Sequence, residues 1–250
     1  MASALEGSVA LVTGAGRNIG RAIALALAEQ GADIVVNVRS DMERAEAVCE
    51  ELRGLGVRAL AVAADVADRA AVRSMFDRVL DELGPVSILV NNVGIRPHTP
   101  FLEITEEEWH TVIEAGLTGA FHCSQAAVPH MTSVGRGRIV NISGRDGFAG
   151  RANRAHGVTV KAGLHGFTKA LAVELGPLGI TTNTVVPGVI HTVRPMEHYP
   201  NLDYEERATR LPVRRVGRVE EIARTCVFLA TDTGYINGTA IHVNGGESLF

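Results

Sequence analysis

Thr13-Gly14-Ala15-Gly16-Arg17-Asn18-Ile19-Gly20 is the stretch that decides how this chain is read. It joins a short apolar run, Val9–Val12, directly to a helix-period segment that is under way by Arg21. Glycines in such a strand-to-helix turn permit a tight bend and let the backbone approach a pyrophosphate. They also leave the first N–H groups of the helix pointing at it. Gly14, Gly16 and Gly20 depart by one residue from the spacing G-x-G-x-x-G, so the turn needs support from the rest of the chain.

Working outward, short β-branched runs alternate with longer helical segments. The expected strands are Val9–Val12, Ile34–Val38, Ala59–Ala63, Ile88–Val90, Arg138–Ile142, Thr182–Val186 and Ala240–Val243. Most are almost continuously apolar, as in strands covered on both faces of a parallel sheet. The spacing predicts helices over Arg21–Gln30, Asp41–Arg53, Arg69–Leu83, Glu106–Val128, Val160–Leu175 and Glu220–Ala230. Capping boxes open two of them, Ser40 with Glu43 and Thr105 with Glu108. Repeated βα units imply an α/β, doubly wound Rossmann-type parallel sheet with right-handed crossovers and helices on both faces. No linker or repeat interrupts residues 1–250, so a single domain is expected. The proline-punctuated stretch near 190–218 is expected to form a lid-like insert over the ligand cleft.

Composition agrees with this plan. Glycine, at 27 of 250 residues, exceeds the roughly 7% of average proteins without any Gly-X-Y repeat. A net charge of -4 without a basic block argues against nucleic-acid binding. No apolar run approaches the ~18 residues of a membrane helix, and Met1–Gly7 does not read as a secretory signal. Cys49, Cys123 and Cys226 are far apart and set among helical apolar residues. They are expected to be buried free thiols rather than disulfides or metal ligands, and the protein to be cytoplasmic.

Nearly the whole chain resembles the short-chain dehydrogenase/reductase family. Thr13 to Gly20 is similar to its T-G-x-x-x-G-x-G motif, with Asn18 at the middle glycine, a residue that tolerates left-handed backbone angles. The resemblance places Gly14, Gly16, Arg17, Asn18, Ile19 and Gly20 at the cofactor. It adds Asp65 and Val66 beside the adenine, and Asn92 and Gly94 from Asn91-Asn92-Val93-Gly94. Pro187-Gly188, Ile190 and Thr192 look like the segment at the nicotinamide end, and Val243-Asn244-Gly245-Gly246 like the usual V-D-G-G. An acidic residue at the end of the second strand would bond the adenosine ribose and repel a 2′-phosphate. Here Val38 and Arg39 stand at that end, with Arg17 in the loop, which favours NADP(H); nearby Asp41 weakens the argument, and NAD(H) is the alternative.

Members of this family reduce carbonyls with a hydride from the cofactor and a proton from a tyrosine. A lysine four residues on lowers that tyrosine's pKa, a serine holds the carbonyl, and an asparagine supports a proton path. Lys161 matches the lysine, but Gly157, Gly144 and Gly116 occupy the tyrosine, serine and asparagine positions. The chain's three tyrosines are Tyr199, Tyr204 and Tyr235, none near Lys161. His156, one residue before the lost tyrosine, is the candidate substitute acid, and it and Lys161 are the expected catalytic residues. Against it, a one-residue displacement turns a side chain about 100° around a helix. Arg145, Asp146, Arg151, Arg154, Arg96 and His98 are candidates for a polar pocket, Ser143 for a carbonyl donor, and Tyr199 and Tyr204 for lid groups.

The favoured expectation is an atypical NAD(P)-dependent oxidoreductase acting on a small carbonyl or alcohol. The alternatives are a non-redox enzyme in the same cleft (C–C cleavage, hydration or isomerisation) and a catalytically inactive cofactor-binding sensor. The expected partner is a small-molecule substrate, with no nucleic acid and no membrane. The resemblance further implies a homodimer or homotetramer, with helices near Thr105 and Gly157 at the interface and Trp109 as a packing anchor.

Overall fold

Alternate residues of the first strand, β1 (Val9–Val12), face two different cores. Ala10 and Val12 pack on one side with Ile23, Leu27, Ile222 and Leu229. Val9 and Leu11 pack on the other with Phe76, Val79, Leu89 and Met131. The period-two geometry of a strand, applied to an unbroken apolar run, requires helices over both faces. Each fully buried Leu or Ile contributes about 1.5–3 kcal/mol. The computed structural model describes residues 3–193 and 203–249.

The remaining strands are β2 (Asp33–Val38), β3 (Ala59–Ala63), β4 (Val86–Asn91), β5 (Gly137–Ile142), β6 (Ile180–Pro187) and β7 (Ala240–Val243). All pair in parallel, in the order β3-β2-β1-β4-β5-β6-β7. Helices α1 (Asn18–Ala28), α2 (Met42–Arg53) and α3 (Arg69–Glu82) link the first four strands. They are followed by α4 (Glu106–Ile113), α5 (Gly119–Ser133), α6 (Asp146–Ala149), α7 (Ala155–Leu175), α8 (Tyr204–Arg210) and α9 (Val219–Thr231). The strand order reverses between β1 and β4, and a crevice at such a switch point, beyond the carboxyl ends of the strands, is where doubly wound sheets bind ligands.

The structure corrects several local expectations. The single helix expected over Glu106–Val128 is two helices joined by a widened π-type turn, Glu114–Thr118, which contains Gly116. Asp41, not Ser40, caps α2 by accepting the Arg44 N–H at 3.1 Å. Thr105 does cap α4, but the Glu108 carboxylate turns to Thr99 and His156 instead of closing the box. Part of the irregular insert is helical, as α8, and an isolated bridge pairs Ile190 with Gly217. Cys49, Cys123 and Cys226 are buried free thiols, and burial pushes all three pKa values up, Cys49 to about 11 and Cys123 to about 12. Among the described residues no helix is long and apolar enough to cross a membrane.

Candidate active site

The loop after β1 is fixed to the end of β4 by short polar contacts. The Asn92 amide donates to the carbonyls of Thr13 (3.0 Å) and Gly14 (3.2 Å), and Thr13 Oγ1 accepts the Asn92 N–H at 2.9 Å. Gly14 has φ +62, and a Cβ on Gly20 would lie 2.4 Å from the Gly14 carbonyl oxygen. That approach brings the start of α1 onto the loop, and the first turn of α1 carries no acidic residue. Its first N–H groups, capped by no side chain, therefore offer an uncompensated positive end to an anion. Asn18 adopts φ 50, and its side chain pairs with the Val193 backbone: Nδ2 donates to the carbonyl (3.0 Å) and Oδ1 accepts the N–H (2.9 Å).

Arg17 and Arg39 are exposed at this end, and Val38 is buried. Arg44 was not singled out from sequence, yet its Cδ would lie 3.4 Å from a Cβ on Gly16. The available signal was its place in the first turn of α2, where Nη1 stands 3.2 Å from Asp41. Asp65 Oδ1 accepts the Ala67 N–H at 3.0 Å, and Val66 is buried beside Gly119. This cradle fits a dinucleotide: its glycines stand where a Cβ would fill the space, and a helix N-terminus faces it without a carboxylate.

A chain of buried amides and hydroxyls holds the neighbouring strands in register. Asn91 donates to Ser124 (3.2 Å) and Asn141 (2.9 Å), Asn141 donates to Thr168 (2.9 Å), and Thr168 meets Thr184 at 2.8 Å. Beyond the ends of β5 and β6 lies a cleft of about 460 Å³, whose lining includes Ile19, Gly144, Gly157, Lys161, Pro187, Gly188, Ile190 and Thr192. Lys161 projects from α7, donates to the Ile142 carbonyl at 2.9 Å, and would lie 3.5 Å from a Cβ on Gly94. Burial, helped by the charges of Arg96 and Arg154, lowers its pKa to about 7, with Asp146 opposing. The helix α6 can press against Lys161 because Gly147 has no side chain: a Cβ there would come within 2.7 Å of the Lys161 carbonyl carbon.

The three glycines differ in their surroundings. A Cβ on Gly144 meets nothing within 4 Å, and one on Gly157 finds only the Arg154 guanidinium, at 3.8–3.9 Å. A Cβ on Gly116 would lie 2.5 Å from Val160 Cγ1, so that space is filled.

His156 is not brought into the cleft. Its ring is fully buried, its Nδ1 accepts the Gly157 N–H at 2.7 Å, and its Nε2 bonds Glu108 of α4 at 2.7 Å. The one-residue displacement turns it toward α4, and the expectation of His156 at the reacting centre is corrected accordingly. Ser143 borders the cleft, but its hydroxyl is engaged elsewhere, donating to the Lys161 carbonyl at 2.9 Å and meeting His165 at 3.1 Å. Burial, with help from the charges of His242, Lys169 and Lys161, pushes His165 down to about 4. His98 lines a separate hollow with Thr99 and Glu108. Tyr204 does reach the cleft, and its hydroxyl bonds the Thr192 backbone N–H (3.1 Å) and carbonyl (3.0 Å). Tyr199 lies outside the described residues.

Fold and cleft define a doubly wound α/β protein with its ligand crevice at the strand switch point. A sequence profile described as Enoyl-(Acyl carrier protein) reductase matches residues 14–248. The chain is 44% identical over 239 residues to the 3-oxoacyl-[acyl-carrier-protein] reductase FabG of Staphylococcus aureus, covering 95% of this chain and 96% of that one. It is 40% identical to the (2S)-[(R)-hydroxy(phenyl)methyl]succinyl-CoA dehydrogenase subunit BbsD of Thauera aromatica, over 98% of both. A solved structure provisionally described as a short-chain alcohol dehydrogenase from Sinorhizobium meliloti superposes with TM-score 0.92 at 36% identity, covering 97% of each chain. The chain belongs to the short-chain dehydrogenase/reductase family of oxidoreductases.

Proposed function

We propose that the protein is an NADP(H)-dependent oxidoreductase that interconverts a carbonyl and an alcohol on a small substrate, with Lys161 as the titratable group at the reacting centre. The observation that carries this is Lys161 itself, in the wall of a cleft where Gly144 and Gly157 leave serine and tyrosine positions empty. The bound cofactor supplies or accepts the hydride. The chain's own residues do the rest. Gly14, Gly20 and the start of α1 hold the pyrophosphate, and Pro187, Gly188, Ile190 and Thr192 border the nicotinamide end. Arg17, Arg39 and Arg44 surround the place of a 2′-phosphate, which favours NADP(H) over NAD(H). An amine with a pKa of about 7 can donate a proton to a developing alkoxide at neutral pH and take it back in the reverse direction. We place the enzyme in the cytoplasm as a homo-oligomer, and the described parts of the insert, residues 190–193 and 203–218, as a lid; the rest of the expected insert lies outside the described residues. Support for association comes from large apolar side chains left exposed in one chain, Leu102 (94%) and Val173 (81%) among them.

The test is stopped-flow mixing of NADPH-loaded protein with candidate carbonyls, using cofactor deuterated at the transferable position. Loss of NADPH absorbance with deuterium in the product supports the proposal; a bound, competent substrate that never acquires the label overturns it. The three glycines favour a second reading, because they remove acid, carbonyl donor and relay together. On that reading the cleft runs a non-redox reaction or binds cofactor without turnover. Product formation with the cofactor unchanged in oxidation state would install it.

A further inference from the structure

The cleft carries more positive charge than hydride transfer requires. Among the described residues, six arginines and Lys161 line it, against two carboxylates, Asp146 and Glu247. Arg145 stands 2.7 Å from Glu247 and 3.6 Å from Asp146. Arg151 and Arg154 share the same Asp146 oxygen, at 3.8 and 3.1 Å. Arg96 enters from the segment after β4, while Arg207 and Arg210 come from α8, where Arg210 also pairs with Glu206. None of these charges belongs to the proposed 2′-phosphate end, at Arg17 after β1 and at Arg39 and Arg44 after β2. Crowded guanidiniums repel one another, and a low-dielectric cleft magnifies that repulsion until an anion enters.

Resting on the oxidoreductase reading, we propose that the substrate is a small molecule bearing at least two anionic groups, carboxylate or phosphate. One group is held near the reacting carbon by Arg154 and Arg96, and the other by Arg207 and Arg210. Arg154 lies against Gly157, where a tyrosine would otherwise stand, so a bidentate anion contact takes the place of a phenol hydrogen bond. The second group then ties α8, which already lines the cleft, to the bound molecule. A hydroxy or keto diacid, or a phosphorylated hydroxy acid, finds donors at both ends of such a wall.

The experiment loads the full-length protein with NADPH, which fills the phosphate sites of the cofactor, and titrates acetate, malonate, citrate and inorganic phosphate at constant ionic strength. NADPH fluorescence reports cofactor occupancy and calorimetry reports anion binding. Malonate and citrate are expected to bind about tenfold or more tightly than acetate. The pair Arg207→Gln with Arg210→Gln, on an exposed helix, should weaken citrate by about tenfold, and Arg73→Gln, on the distant face of α3, should leave it unchanged. Arg154→Gln tests the inner group, and the α8 pair decides the matter should Arg154→Gln fail to fold. Phosphate binding as tightly as malonate would assign the site to phosphorylated substrates, and the reverse to dicarboxylates. Equal, weak binding of all four anions, or indifference to the α8 substitutions, overturns the inference. Reduction of neutral ketones with no dianion binding would overturn it while leaving the oxidoreductase reading intact. Tight dianion binding without hydride transfer to any keto dianion would do the opposite.

Discussion

Substituting Gly116→Ala tests whether the widened turn between α4 and α5 has lost its side-chain space for good. The added Cβ would sit 2.5 Å from Val160 Cγ1, where carbons prefer about 3.5–4.0 Å. Val160 is 3% exposed and packs in a small core with Val112, Ala120 and Leu164, so it has little freedom to give way. Overpacking of this kind costs about 1–3 kcal/mol, while replacing a helix-interior glycine by alanine contributes about 0.5–1 kcal/mol in the other direction. The net expectation is a loss of up to about 2.5 kcal/mol, centred on about 1 kcal/mol, or about 2–4 °C in Tm for each kcal/mol in a chain of this size. In a Val160→Ala background the clash is gone and only the helix term is left, so the same change should stabilise by about 0.5–1 kcal/mol. Urea unfolding of the parent, both single variants and the double variant closes the cycle. Gly116→Ala that is neutral in the parent, and no different beside Ala at 160, would refute the packing argument. So would a coupling energy near zero.

Gly144→Ser enters open space, and Gly157→Tyr has room for its Cβ beside the Arg154 guanidinium, so the pair should raise NADPH-dependent carbonyl reduction by about 10²–10⁴-fold; no gain with the fold and cofactor binding intact would sink that expectation. Adding Gly116→Asn should help only together with Val160→Ala, read as kcat/KM across the set. If Lys161 is the acid, reduction needs its ammonium form: the rate should be full below pH about 7 and fall with rising pH, and alcohol oxidation should show the mirror profile. A rate that is flat from acid to alkaline pH on both sides of that value would exclude Lys161. Asn18→Gly keeps the φ 50 turn unstrained but removes both bonds to Val193, so hydrogen exchange at the Val193 amide should accelerate while Gly20 is unaffected.

Strand positions were readable because β1 and β3 follow unbroken apolar runs and β7 one interrupted only by His242, and their observed bounds coincide with the expected ones. The break within 106–128 was not readable: Gly116 and Gly119 look like ordinary weak helix positions until Val160 and Val66 are seen pressing on them. Ser40 and Asp41 are both good caps, and only the backbone register shows which one bonds Arg44. At the site, Lys161, Gly144 and Gly157 could be picked out by motif spacing, and the same spacing warned that His156 would be rotated. What spacing cannot encode is convergence. Arg96, Arg151 and Arg207 belong to three segments with no periodic relation, and only the folded chain brings them to one cleft.

Convergence also couples substrate charge to the proton. Arg96 and Arg154 help hold Lys161 below its ordinary pKa, so an anion that neutralises them must favour the ammonium form. Linkage is reciprocal: protonation of Lys161 then tightens anion binding by the same factor. A dianionic substrate would therefore load the acid that its own reduction consumes, while a neutral ketone would leave Lys161 largely deprotonated above neutrality. The profile of kcat/KM reports the enzyme without substrate and that of kcat the complex. For a keto dianion whose anionic group stands within ~4–6 Å of Lys161, the kcat inflection should lie about 1–3 units above the kcat/KM inflection. For a neutral ketone the two should coincide. Coincident inflections for both substrates would show that the arginines bind the anion without speaking to Lys161, and the proton would then have to come from elsewhere.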